Sequence, residues 1–201
     1  HNWTNHPRRW RLCSPRSSDF MITFDTFESP GLIVYPERVK RNIAKVIEMV
    51  DGNPARLRPH IKTHKTKEGN DLLLAAGITK FKCATIAEAE MLGLLKAHNV
   101  LIAHQLMGPK LNRLVALIKS FPGTKFSCLI DNIETATSVS ILFGEAGLKI
   151  DVYMDVNIGM NRSGIITDKA TTLFKAAASL SNIKIIGLHC YDGHIRETNI
   201  S

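Results

Sequence analysis

The chain lacks several features, and each gap removes a class of protein. No apolar run approaches the roughly 18 residues that carry a helix across a bilayer, so no membrane span is expected. Residues 1–20 hold no short apolar core of the kind a secretory signal requires. Cysteine is scarce: Cys13, Cys83, Cys128 and Cys190 are widely spaced and form no CxxC pair. That argues against a disulfide framework or a zinc ribbon. Because the last three lie in apolar, strand-like runs, they read as buried free thiols in a reducing compartment. Aromatic residues make up only 6% and do not interleave with basic ones. Nucleic-acid binding therefore has little support beyond a basic charge balance.

What is present is ordinary for a soluble globular domain: 44% hydrophobic and 22% charged residues. Net charge is +8, from 26 basic and 18 acidic residues. Part of the excess is local, since residues 1–20 set Arg8, Arg9, Arg11 and Arg16 against Asp19 alone. This arginine- and serine-rich stretch has no periodicity. It reads as a leader, or as a non-native segment ahead of a natural start at Met21. The expectation is a disordered 1–20, then a domain over 21–201, in a cytoplasmic protein.

From Phe24 onward the pattern is regular. Residues 31–35, GLIVY, predict a strand, and Pro36 opens a helix to about Val50. Val39, Ile43, Val46, Ile47 and Val50 would form its apolar face. Strands are then predicted over 57–62, 80–84, 100–104, 125–131, 149–158 and 183–191. Helices are predicted between them, over 66–76, 86–97, 109–120, 132–146 and 168–180. This alternation predicts an α/β fold with a parallel sheet and helical crossovers.

Strand parity chooses the architecture. In 149–158, Ile150, Val152, Met154, Val156 and Ile158 share one face, and Asp151, Tyr153, Asp155 and Asn157 share the other. A doubly wound sheet is covered on both sides and would be apolar on both. A polar face suits the inside of a (β/α) TIM-type barrel near its mouth. Residues 62–67, KTHKTK, also lack the glycines of a dinucleotide-binding turn. Six strands follow the first helix, where a closed barrel needs eight, so the expected barrel is incomplete.

The chemistry concentrates in RPHIKTHK, residues 58–65, at the end of the first barrel strand. Alternate residues of a strand share a face, so His60, Lys62 and, if the strand runs on, His64 would point to the mouth. A desolvated lysine among cations becomes a nucleophile toward carbonyls, as Schiff-base chemistry requires. Spacing alone leaves two other readings open. One is a solvated basic strand end. The other is a metal pair at His60 and His64, against which Pro59 and the strand-like context argue.

Further motifs lie downstream in order: KFKCATIAEAEML (80–92), DVNIGMNRSGI (155–165) and GLHCYDGH (187–194). With SPGLIVYPERVKRNI (29–43) and RPHIKTHK they resemble the D-threonine aldolase and D-serine dehydratase-like family. These are fold-type III pyridoxal phosphate enzymes with an alanine racemase-like N-terminal barrel. The resemblance spans roughly residues 29–196 and implies that Lys62 anchors pyridoxal phosphate. His60 stands beside it in the H-x-K-x-H run. It assigns Arg162 to the cofactor ring or substrate carboxylate, a role its two-pronged guanidinium suits. Tyr191, which parity places on the face of His189, is assigned a contact with the ring.

Aldolase members place a histidine base six residues after this tyrosine, where Glu197 stands here. His194 is nearer, and either group could act as a base if the fold positions it. Gln105 is read as facing the pocket. No metal ligand can be assigned in this chain: the family's divalent metal, and the ligands for it, come with a C-terminal β-domain. The implied activity is a metal-dependent lyase on β-hydroxy-D-amino acids, aldolase first and dehydratase second. The implied assembly is a homodimer of the full-length protein. A non-catalytic pyridoxal phosphate carrier is the rival reading, because small single-domain barrels also use a strand-end lysine followed by threonine.

Overall fold

The computed structural model describes residues 30, 31 and 33–196. The proposed leader, Glu197 and Cys13 lie outside these. The backbone divides into two compact units that meet between Asn53 and Pro54. In the first, helix α1 spans Pro36–Glu48, with proline in its first turn as the sequence predicts. Ile43 is buried and Val39, Ile47 and Val50 are half-buried, but Val46 is exposed. The strand predicted over 31–35 does not form among the described residues, and Ile33, Val34 and Tyr35 are exposed. β-branched residues favour a strand only where a neighbouring strand pairs with them.

The second unit is a parallel sheet wrapped by helices. Its elements are α2 (Lys67–Ala75), β1 (Lys80–Cys83), α3 (Ile86–Leu94), β2 (Asn99–Ile102), α4 (Pro109–Ser120), β3 (Lys125–Ile130), α5 (Ile133–Glu145), β4 (Ile150–Asn157), β5 (Ile165–Ile166), α6 (Thr167–Ala178) and β6 (Ile183–Cys190). Local chemistry sets the helix starts. Thr66, Thr85 and Asn132 each accept a backbone N–H three residues on, from Gly69, Glu88 and Thr135. Glu88 also reaches back to accept the Ala84 N–H at 2.8 Å, a close variant of the capping box.

β1, β2, β3 and β4 pair in sequence order, and β6 pairs along β4 from Ile150 to Val156. The predicted alternation holds. Phe81, Cys83, Val100, Ile102, Cys128, Ile130, Val152 and Met154 are buried on the helix-covered face. The other face carries Lys82, Asn99, Tyr153 and Asp155. Four ladder steps separate β1 from β6, about 19 Å across a flat sheet. Yet Lys82 Nζ on β1 lies 3.3 Å from His189 Nε2 on β6. The sheet is therefore strongly curled, with its polar face inside, as an arc of a barrel requires.

The second unit departs from the expected pattern at three places. The strand predicted over 57–62 is reduced to one parallel bridge, His60 to Lys82, between single helical turns at Pro54–Arg56 and Ile61–Thr63. Pro54 and Pro59 have no N–H to donate to a ladder, although the Pro59 carbonyl still accepts the Lys82 N–H at 2.9 Å. A short strand not predicted, β5, pairs with Val156 and Asn157. Cys83 and Cys128 are buried free thiols as expected, but Cys190 is exposed on the outer face of β6, beside Leu188.

Phe81 is fully buried between sheet and helices. Phe81→Ala should cost the full-length protein about 3–5 kcal/mol, read as a lowered urea midpoint with the slope unchanged.

Candidate active site

The single turn Ile61–Thr63 replaces the last residues of the predicted strand, so strand alternation does not carry Lys62 and His64 to the mouth. The turn is held by its own side chains. His60 Nδ1 accepts the Lys62 N–H at 3.1 Å. His64 turns away, and its Nδ1 lies 3.1 Å from Thr66 Oγ1 and accepts the Thr66 N–H at 3.2 Å. These contacts make it a local brace for the start of α2, and burial lowers its pKa. His60 and His64 thus each spend Nδ1 on a local backbone N–H, and among the described residues no three His, Cys, Asp or Glu converge on a point.

Lys62 is exposed, with Nζ 5.8 Å from the centre of the Tyr191 ring. Arg162 Cζ stands 4.9 Å from the same centre. The structure thus brings together three of the residues the sequence singles out, from three distant segments. Arg162 is carried by the loop after β4. There Asn157 Oδ1 accepts the N–H groups of Gly159 and Asn161 at 3.0 and 3.1 Å. The loop closes at Gly164, whose φ is +93°. A Cβ there would stand 2.7 Å from the Asn157 nitrogen, so the loop can pass this close to β4 only as glycine. His194 is exposed, its ring set against Gly159 at the edge of this loop.

Beneath these groups lies a polar layer that motif reading missed. His189 Nδ1 lies 2.6 Å from Asp155 Oδ1. Asp155 Oδ2 accepts from Gln105 Nε2 at 2.8 Å and from Ser163 Oγ at 3.1 Å. Gln105 also donates to Asp131 Oδ2 at 2.9 Å, and Asp131 accepts the Gly164 N–H at 3.2 Å. Burial works against the Asp155 carboxylate, but the hydrogen bonds from His189, Gln105 and Ser163 outweigh it and hold its pKa below the usual range. Gln105 thus faces the interior, as the sequence suggested. Parity had also placed Asp155 on the inner face, without a role. Lys82 lay within the quoted run 80–92 without a role of its own. Arg58 completes the layer: it donates to Asn99 Oδ1 at 2.7 Å and to the Phe81 carbonyl at 3.2 Å.

Cations dominate this interior. Burial, then Lys62 and Lys82, push the His60 imidazole down to about 4. Burial, then Lys62 and Arg58, lower the Lys82 ammonium.

A curled parallel sheet with an exposed lysine at its mouth, an arginine loop and a tyrosine ring defines an alanine racemase-like barrel segment. The chain belongs to the alanine racemase N-terminal domain family, whose model matches residues 34–200. It is 27% identical to a D-threonine aldolase from Arthrobacter sp., over 84% of this chain and 44% of that protein. It is 26% identical to D-threo-3-hydroxyaspartate dehydratase from Delftia sp. (strain HT23), over 81% of this chain and 41% of that one. The crystal structure of D-threonine aldolase from Filomicrobium marinum superposes with a TM-score of 0.75 at 31% identity, over 83% of this chain and 45% of that one. The chain thus spans less than half the length of these relatives.

His60 should titrate in a proton NMR series near pH 4 rather than 6.5. Between those values the unfolded chain takes up a proton that the folded site refuses, so His60 withdraws stability as pH falls through the window. In Lys62→Met the His60 midpoint should rise. A midpoint near 6.5 in the parent protein would contradict the cationic, half-buried setting.

Proposed function

We propose that this chain supplies the cofactor-bearing barrel segment of a pyridoxal-phosphate-dependent lyase acting on β-hydroxy-D-amino acids, with the aldolase reaction first. The observation that carries the reading is the convergence of Lys62 and Arg162 on Tyr191. That donor set fits the cofactor: an exposed amine for an aldehyde, a guanidinium for a phenolate or carboxylate, and an aromatic face to rest against. When bound, pyridoxal phosphate supplies the electron sink for bond cleavage next to the amino group.

The chain's own residues have separable tasks. Lys62 gives the attacking Nζ. Its backbone N–H is fixed by His60, whose ring stays uncharged near neutral pH and adds no further cation beside the amine. Arg162 neutralises an anionic oxygen and orients it over Tyr191. His194, exposed beside the arginine loop, is proposed as the base that takes the substrate's hydroxyl proton. Residues 21–201 are proposed as the N-terminal part of the barrel. The divalent metal expected of the whole protein would draw its ligands from elsewhere in it.

The named relatives support the substrate class, because D-threonine and D-threo-3-hydroxyaspartate are both β-hydroxy-D-amino acids. Relatives of both kinds, aldolase and dehydratase, keep a D-serine-type elimination as the second reading.

In the full-length protein, borohydride reduction with the cofactor followed by peptide mapping should label Lys62. Label on Lys65 or Lys67 would overturn the assignment. D-threonine, L-threonine and D-serine should then be assayed with and without chelator. Glycine and acetaldehyde from D-threonine alone is the expected result, with loss under chelator. Pyruvate and ammonia from D-serine would favour the dehydratase, and cofactor binding without turnover of any of the three a carrier.

A further inference from the structure

Tyr191, on which Lys62 and Arg162 converge, stands at the start of a turn. It follows Cys190, the last residue of β6, and opens the run Tyr191-Asp192-Gly193-His194. The Ile195 N–H donates to the Asp192 carbonyl at 2.9 Å. That bond closes a four-residue turn with Gly193 at its second position. The turn brings the Gly193 backbone against the tyrosine ring. A Cβ built on Gly193 would overlap Cζ and Oη of Tyr191 and stand 2.6 Å from Cε1.

Glycine often serves a turn by adopting positive φ. Gly159 and Gly164 in the arginine loop do so, at +120° and +93°. Gly193 does not: its φ lies outside the left-handed region, and an L residue fits its backbone. The second position of such a turn accepts most residues, and the 2.9 Å hydrogen bond is made by main-chain atoms alone. Gly193 is exposed, so a larger side chain there would meet no packed core. The three atoms nearest to a Cβ at this position all belong to Tyr191. The absent side chain thus makes room for that ring.

We propose that Gly193 is a positioning residue for Tyr191. It leaves the space in which the hydroxyl end of the ring lies. It thereby sets the ring with its centre 4.9 Å from Arg162 Cζ and 5.8 Å from Lys62 Nζ. Both distances are inside the range over which a cation is drawn to an aromatic face. A methyl group at 193 would drive the ring off, because a tyrosine can change rotamer while the turn stays closed. The two cations would then lose the ring they share, and the cofactor the surface it rests against. The inference rests on the proposed contact between Tyr191 and the cofactor, but one arm of its test uses the cofactor-free protein.

The experiment compares the full-length parent with Gly193→Ala, Tyr191→Ala and the double variant. In cofactor-free protein, the Arg162 Nε–H signal is identified by NMR through its loss in Arg162→Lys. The tyrosine ring current should shift it upfield in the parent, and Gly193→Ala should move it to its place in Tyr191→Ala. Gly193→Ala should melt with the parent, while its affinity for pyridoxal phosphate falls about tenfold, a loss within the range for coupled neighbours. In the Tyr191→Ala background the same substitution should change affinity less than about twofold, since the residue it acts through is gone. An unmoved Arg162 signal in Gly193→Ala would overturn the proposal, as would equal affinity losses in both backgrounds. A Gly193→Ala protein melting far below the parent would overturn it too, by showing that the turn itself needs glycine. If Tyr191→Ala leaves affinity unchanged, the contact between ring and cofactor falls, while the Arg162 signal still decides what Gly193 does.

Discussion

The Asp155 carboxylate is the contact on which the rest of the site depends. It is 3% exposed, on the inner face of β4. A charge taken out of water in this way persists only with its lone pairs satisfied. Three side chains from different segments do this: His189 from β6, Gln105 from the stretch after β2, and Ser163 from the arginine loop. Any element that drifted would leave a buried charge short of a partner, at a cost of about 1–3 kcal/mol or more. The requirement therefore holds the arginine loop and β6 against β4, and through His189 it reaches Lys82 on β1.

That arrangement is possible only because the sheet curls. Helices cover one face with apolar side chains, and the curl brings the polar residues of distant strands within hydrogen-bonding distance on the other. Arg58 and Lys82 at one end of the ladder thereby meet Tyr153 and His189 at the other. Lys62 then needs little support of its own. A single turn braced by His60 holds its backbone, and the layer below sets the charge around it.

Much of this was legible in the sequence, for a physical reason. Five of the six predicted barrel strands and all of the helices are marked by periodicity, and Thr66, Thr85 and Asn132 mark helix starts through backbone caps that act locally. Parity in 149–158 placed Asp155 inside because strand alternation is strict. What failed was what depends on distant partners. The GLIVY run had strand-forming residues, but no neighbour pairs with the described ones. The 57–62 segment had the right place, but Pro59 within it has no N–H to give a ladder, and only the His60 bridge to Lys82 forms. Lys82 and Ser163 lie within the quoted runs 80–92 and 155–165 but were given no role there, since their contacts arise only when β6 and the arginine loop close on β4. The outward exposure of Cys190 is likewise a matter of what covers β6.

Asp155 is what holds the arginine loop and His189 in place. Hydrogen–deuterium exchange of the full-length protein and its Asp155→Asn variant tests it most directly. The variant should exchange at least tenfold faster over residues 159–164, a loss of about 1.4 kcal/mol of local stability, while Phe81 and its neighbours in β1 keep their protection. Unchanged exchange over 159–164 in a folded Asp155→Asn protein would contradict it.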